Sequence, residues 1–256
     1  MKGPIIVAID QLFEDPYASL LCFPKPSALE LESRIDELRT QGVTHLEFLG
    51  KASVFGVPLP VLGKGFVGIV VIAHLINGER VAIKIRRLDA DRVDLFHEAE
   101  MLSLANSVGV APKFVGVSKD FLLMQLIEGD LLPNWLGNNK EASLVKRVLA
   151  EVLSSCCRLD ELGLDHGELS KAPKHVIIDR QNKPWIVDFE TASSCRKPAN
   201  LPAMCHFLFS SAGEVARTVI ERIGEREREK VISSLQAYKK FRTRENFENV
   251  IRVCLG

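Results

Sequence analysis

Two hydrophobic rhythms succeed one another along the chain, and their order predicts its elements. Ile5 to Ile9 is a short apolar run rich in β-branched residues. Ala28, Leu31, Ile35 and Leu38 then recur at helical spacing, behind Ser27 and Glu30 at the separation of a capping box, and Gly42 is placed to end that helix. From Val61 the period shortens to that of strands. Phe66–Ala73 and Val81–Ile85 are β-branched runs, and Asn77-Gly78 between them is a hairpin signal that requires positive φ at both turn positions. A helix over 94–105 follows, then strands over 113–117 and 121–126 around the turn Ser118-Lys119-Asp120. After Glu128-Gly129-Asp130 the period lengthens again. Leu144 or Val145, Val148, Leu149, Val152, Leu153, Cys156 and Leu159 predict one long helix closed by Gly163, and the tail from about Met204 is helical as well. The expectation is an α+β chain. An N-terminal α/β extension over 1–60 packs on a small, mainly antiparallel sheet with one helix over 61–128, and a reduced helical part spans 129–256.

Charge and cysteine content narrow the function classes. The 256 residues carry 33 Lys plus Arg against 33 Asp plus Glu, so no net field advertises nucleic acid or a membrane surface. The basic run Lys239, Lys240, Arg242 and Arg244 reads as a solvated helix face rather than an RNA contact. Six cysteines show no Cys-x-x-Cys pair and no histidine at metal spacing, which fits reduced, mostly buried thiols and a cytoplasmic setting. The run from Ile5 is too short for a signal peptide and no later run approaches a membrane span, so no membrane partner is expected.

The candidate chemistry begins at Gly63-x-Gly65-x-x-Gly68. A dinucleotide fingerprint would need these glycines to open a helix, but Ile69-Val70-Val71-Ile72 follow, which disfavours one. The glycines instead mark a hairpin bend whose backbone N–H groups can cover phosphates. Val81-Ala82-Ile83-Lys84 then places a lysine on the next strand, either reaching water or held in a cleft by a carboxylate. Glu98 is the candidate carboxylate, with Glu100 in reserve. Together these stretches resemble the small lobe of a protein kinase. That resemblance implies ATP as ligand: Gly63, Lys64, Gly65, Phe66 and Gly68 over its phosphates, Val70 and Ala82 over its base, and Lys84 with Glu98 on the α- and β-phosphates. It implies Met124 as gatekeeper and backbone groups of Gln125 to Ile127 at the edge of the adenine.

A second stretch runs from His166 to Glu190. His166-Gly167-Glu168-Leu169-Ser170 matches the kinase catalytic loop in spacing, with Glu168 where that loop has Asp. Asp188-Phe189-Glu190 stands where Asp-Phe-Gly is expected. The expected Asn position is Pro173, and His175 fits better if two residues are inserted. This pattern resembles the atypical RIO-like kinases and the kinase subunit of the tRNA-modifying KEOPS complex, and is similar to an archaeal group of predicted RIO-like serine/threonine kinases. The resemblance, covering about 62–194, implies a two-lobed protein-kinase-like fold. It implies Asp188 as the main ligand of Mg²⁺, with His175 a second ligand, a phosphate contact or a support of the loop, and with a Mn²⁺ preference if it ligates. Glu168 would accept the proton of the acceptor hydroxyl. His166 reads as a packed, backbone-bonding residue. No Ala-Pro-Glu follows Asp188, so the usual peptide platform is absent or replaced. The leading expectation is an ATP-dependent atypical serine/threonine protein kinase, autophosphorylation included, with an unidentified protein substrate or partner complex. The alternatives are an ATPase switch in complex assembly and an ATP-binding pseudokinase scaffold. RNA or a ribonucleoprotein enters as a partner only through the resemblance.

Overall fold

A computed structural model describes residues 3–210 and 212–256. The chain divides into two compact units. The first runs through Glu100 and takes in Lys113–Leu126, and the second comprises Met101–Pro112 and Ile127–Gly256. Along the chain lie β1 (Ile5–Ala8), α1 (Tyr17–Leu21), α2 (Ala28–Thr40), β2 (Val43–Phe48), β3 (Ala52–Val54), β4 (Val57–Val61), β5 (Gly63–Lys64), β6 (Gly68–Leu75) and β7 (Arg80–Arg86). Then come α3 (Phe96–Ser107), β8 (Phe114–Val117), β9 (Phe121–Gln125), β10 (Gly129–Leu131), α4 (Leu132–Asn138) and α5 (Ala142–Leu162). The remainder is β11 (Val176–Asp179), β12 (Pro184–Ile186), α6 (Asn200–Cys205), a π-helical stretch His206–Ser210, α7 (Glu214–Ile223), α8 (Arg228–Lys240) and α9 (Arg244–Leu255). Thus an antiparallel sheet precedes a mainly helical part, the α+β order expected from the sequence.

The first unit is built on one sheet in the order β1-β2-β6-β7-β9-β8, with β5 paired to Ile69 and Val70 near the start of β6. Every pairing in it is antiparallel. Successive side chains on a strand point to opposite faces, so register decides which residues share one. Ile69, Val71, Ala73, Val81, Ile83, Ile85, Phe121 and Leu123 face a core that also contains Leu20 and Leu21 of α1 and Leu31, Ile35 and Leu38 of α2. Strands and helices of the first sixty residues are therefore part of this unit's sheet and core. The other face carries Val70 opposite Lys84, and Ile72, Ala82 and Met124 in one cross-strand row.

Two local expectations differ from what forms. The β6–β7 turn keeps positive φ at Gly78 but not at Asn77. Gly78 N–H donates to Leu75 O at 2.9 Å and Glu79 N–H to Asn77 Oδ1 at 3.0 Å, so a tight turn followed by a left-handed glycine replaces the two-residue loop. On α2, Ser27 Oγ accepts the Glu30 N–H as a cap, but Ala28 is exposed and the helix buries Arg34 instead. The Arg34 guanidinium donates to Leu21 O, to Arg86 O at 2.8 Å and to Asp120 Oδ1 at 3.0 Å. Arg86 Nε lies 2.5 Å from the same carboxylate oxygen, and the Asp120 N–H donates to Glu37 Oε2 at 3.1 Å. A fully buried arginine has to satisfy its donors this way, because an unpaired charge there would cost several kcal/mol.

In the second unit α5 is the central helix. Val145, Val148, Leu149, Val152, Leu153, Cys156 and Leu159 are buried on it, and Gly163 caps its end. A small sheet, β10-β11-β12, carries the loops of interest, and Ile186 N–H donates to Val110 O at 2.9 Å, drawing in the segment after α3. Arg242, from the basic run, is used internally: its guanidinium donates to Asp160 O at 3.3 Å and to Pro198 O. All six cysteines are free, and only Cys195 is exposed. Among the described residues no helix is long and apolar enough to cross a membrane.

Candidate functional site

In the first unit the glycine bend is closed by the Gly65 N–H donating to Gly68 O at 2.8 Å. Arg87 braces it, giving its N–H to Val67 O at 2.8 Å and its guanidinium to Gly65 O at 3.0 Å. Phe66 stands 90% exposed at the tip. Lys64 turns its ammonium over the ring of Phe23, 5.3 Å from the centroid. Gly63 borders open space and a methyl group at Gly65 would make only ordinary contact with Gly68 O at 3.7 Å, whereas one at Gly68 would meet Lys84 Cγ at 2.8 Å. Only a glycine there lets the lysine stem cross the strand. Lys84 Nζ then lies 2.9 Å from Glu98 Oε1 and 2.8 Å from Oε2, both side chains nearly excluded from solvent. Glu100 is exposed, so α3 itself discriminates the two candidate acids. Val70, Ala82 and Met124 share the face of Lys84. The Gln125 N–H is engaged by Lys113 O at 2.8 Å, and the unit boundary falls between Leu126 and Ile127.

The second unit holds Glu168, His175 and Asp188. His166 is fully buried. Its N–H donates to Asn200 Oδ1 at 2.9 Å, its Nε2 lies 3.1 Å from Val187 O, and its ring packs on Phe189 with centroids 5.0 Å apart. Burial, before any other cause, pushes its pKa down from 6.5 to about 4, so the imidazole is neutral and Nε2–H is the donor to Val187 O. Gly167 has φ +89°, and a methyl group there would meet the Arg196 guanidinium at 2.7 Å and Thr191 Oγ1 at 3.0 Å. Glu168 is part-exposed, and its Oε2 lies 3.2 Å from His175 Nε2. His175 O accepts the Val187 N–H at 3.0 Å, which fastens the start of β11 to the end of β12. Asp188 follows at φ +70°, a left-handed conformation that non-glycine residues seldom adopt and that often accompanies function. Its Oδ2 is 3.8 Å from His175 Nδ1.

Several residues that organise this loop carry no signal in the sequence. Asp165 and Ser193 exchange backbone hydrogen bonds of 3.0 and 2.8 Å, Arg196 donates to Asp165 Oδ2 at 2.9 Å and to Thr191 O at 2.6 Å, and Thr191 Oγ1 donates to His166 O at 2.9 Å. Asp160, on α5, accepts the Asn200 N–H at 2.8 Å, the Leu201 N–H at 3.2 Å and the Tyr238 hydroxyl at 3.2 Å. Burial raises its pKa nonetheless. Asn200 donates in turn to Leu164 O at 2.7 Å. Glu190, which stands where the kinase pattern has glycine, brings a carboxylate oxygen within 4.8 Å of one on Asp188.

Carboxylates are the hard oxygen donors Mg²⁺ prefers, whereas the His175 imidazole is a softer and poorer ligand for it. A family model for the RIO domain matches residues 72–205, more than half of the chain. That stretch starts after the glycine bend and Val70 and takes in Ala82, Lys84, Glu98, Met124, Gln125, Ile127, Glu168, His175 and Asp188. No curated protein matches the chain.

Proposed function

The chain belongs to the RIO family of atypical protein kinases and ATPases, and from that premise we propose that it transfers the terminal phosphoryl group of Mg-ATP to a serine or threonine hydroxyl of a protein, its own chain included. The Lys84–Glu98 pair carries this reading. Desolvation offsets most of the attraction in a buried ion pair, so such a pair contributes little to stability and is better accounted for by a ligand it serves. Glu98 fixes the ammonium so that it meets the α- and β-phosphates. The bend of Gly63, Lys64, Gly65, Phe66 and Gly68 covers the phosphate chain, its shape held by the Gly65 N–H on Gly68 O, and Val70 and Ala82 cover the base. Met124 limits its depth, with backbone groups of Gln125 and Ile127 at its edge.

In the second unit Asp188, with Glu190 beside it, holds the divalent cation. A cation held there would supply charge neutralisation at the transferred phosphate. Glu168 orients the acceptor hydroxyl and takes its proton, which asks for reach and charge rather than a strong base. A carboxylate one methylene longer than aspartate meets that requirement.

One observation favours a second outcome of the same chemistry. The segment after Asp188 is fastened to the loop of His166 through Thr191, Ser193 and Arg196, and α6 begins at Asn200. Little of it remains to grip a peptide, which favours water or a side chain of a bound partner as acceptor and hence an ATPase switch. Incubation with γ-labelled ATP and Mg²⁺ or Mn²⁺, beside Asp188→Ala, separates these. Labelled protein that disappears in the variant supports the kinase, and free phosphate alone supports the ATPase. ATP binding without turnover overturns both in favour of a scaffold.

A further inference from the structure

Glu168 and His175 both depart from the kinase pattern, and the structure puts the two departures in contact. His175 is nine-tenths buried, with Nε2 3.2 Å from Glu168 Oε2, within hydrogen-bond reach, and Nδ1 3.8 Å from Asp188 Oδ2, beyond it. The ring has a second neighbour and its backbone is held. It stands edge-on to His166 with centroids 5.3 Å apart, and the His175 backbone holds Val187. Glu168 has no such constraint of its own. Its side chain is 40% exposed and has one more rotatable bond than aspartate, so unaided it would sample many rotamers. A rigid N–H donor at the end of a buried ring is what the longer carboxylate lacks.

We propose that His175 is a positioning residue whose Nε2–H holds the Glu168 carboxylate in the rotamer that meets the acceptor hydroxyl, and that it is not a metal ligand. On this view glutamate and histidine are one compensated change. The proposal rests on the phosphotransferase reading above, and it places the metal on the carboxylates alone.

Amide variants test it, because a glutamine amide nitrogen falls near the position of Nε2 and an asparagine amide near Nδ1. His175→Ala is expected to lower kcat for phosphoryl transfer about ten- to hundredfold, with KM for ATP and the Mg²⁺ half-saturation changed less than about twofold. His175→Gln should restore most of the loss and His175→Asn little. In a Glu168→Gln background His175→Ala should cost nothing further, as expected for residues acting as a unit. Rescue by asparagine, a raised Mg²⁺ requirement, or additive losses would overturn the proposal in favour of ligation or an independent role. A second measurement needs no turnover. In ¹⁵N-imidazole NMR of the free protein His175 should be the Nε2–H tautomer, and Glu168→Gln should move that resonance. An unmoved resonance overturns the contact. An inactive wild type would instead remove the phosphotransferase reading, and with it the catalytic purpose of a contact that NMR still detects.

Discussion

Lys84 and Asp188 arrive at their positions by different routes. Lys84 stands in the middle of β7, its neighbours set by cross-strand register, and its stem crosses a strand at the one glycine that leaves room. The opposite face of that sheet is packed by helices, and Arg34 of α2 is tied to Arg86 O and to Asp120. Asp188 stands beyond the end of β12 in a left-handed conformation. The loops around it are ordered by polar side chains drawn from positions 160 to 200. One group is placed by periodic structure and the other by a network of individual hydrogen bonds. A strand tolerates change at most exposed positions, whereas a network fails wherever a buried donor or acceptor is left unpaired.

The largest expected effect tests how far the first unit depends on its own buried polar cluster. Asp120→Ala takes the shared carboxylate from two guanidinium groups and should cost about 3–5 kcal/mol in denaturant unfolding, whereas Arg34→Ala leaves Asp120 its Arg86 partner and should cost less. A loss below about 1 kcal/mol would mean that hydrophobic packing alone holds the sheet against α2.

Next come the residues proposed to serve the transfer. Lys84→Ala and Asp188→Ala should each lower phosphate transfer or release about 10²–10³-fold, the range found on removing a group that stabilises transition-state charge. Circular dichroism should stay native in both. If only one of them affects turnover, the two units do not serve a single reaction.

His166 makes the second unit sensitive to acid. The unfolded chain takes up its proton near pH 6.5 and the folded chain only at about 4, so between these values the unfolded state binds more protons. Its contribution is present in full above pH 6.5 and is lost as the pH falls to 4, by about 3 kcal/mol in all. Unfolding free energies measured across that window in wild type and in His166→Gln should differ by this slope. Parallel curves would refute the neutral, buried assignment.

The smallest effects compare glycines. Gly167→Ala forces a side chain onto a left-handed backbone already crowded by Arg196 and Thr191, and should cost more than about 1 kcal/mol. Gly63→Ala meets nothing within 4 Å and should be nearly neutral for stability. Any change in its KM for ATP then reports contact with the nucleotide, and an unchanged KM argues that the bend does not cover phosphates.

These differences track what could be read along the chain. The glycine spacing, the lysine after a run of three apolar residues and the long amphipathic α5 were legible because each is a repeat or a short-range pattern with a local cause. The choice of Glu98 over Glu100 was legible too, since helical periodicity alone separates the two faces. The turn at Asn77-Gly78 was only partly legible, because loop length, and not composition, decides which residue takes positive φ. Arg34 was missed for a different reason. A charged residue inside an apolar helical face is ordinarily solvated, and its burial depends on carbonyls and a carboxylate far away in the sequence.

By itself the sequence determined the order of elements, the α+β class and the residue types available for phosphoryl transfer, because periodicity and turn chemistry act over a few residues. Tertiary structure alone decided that Asp160, Asp165, Asn200 and Arg196 form the frame of the His166 loop. It alone decided that the His175 ring meets Glu168. The physical reason is common to both. Buried polar groups must find partners wherever the fold brings them, and a linear pattern carries no record of a partner tens of residues away.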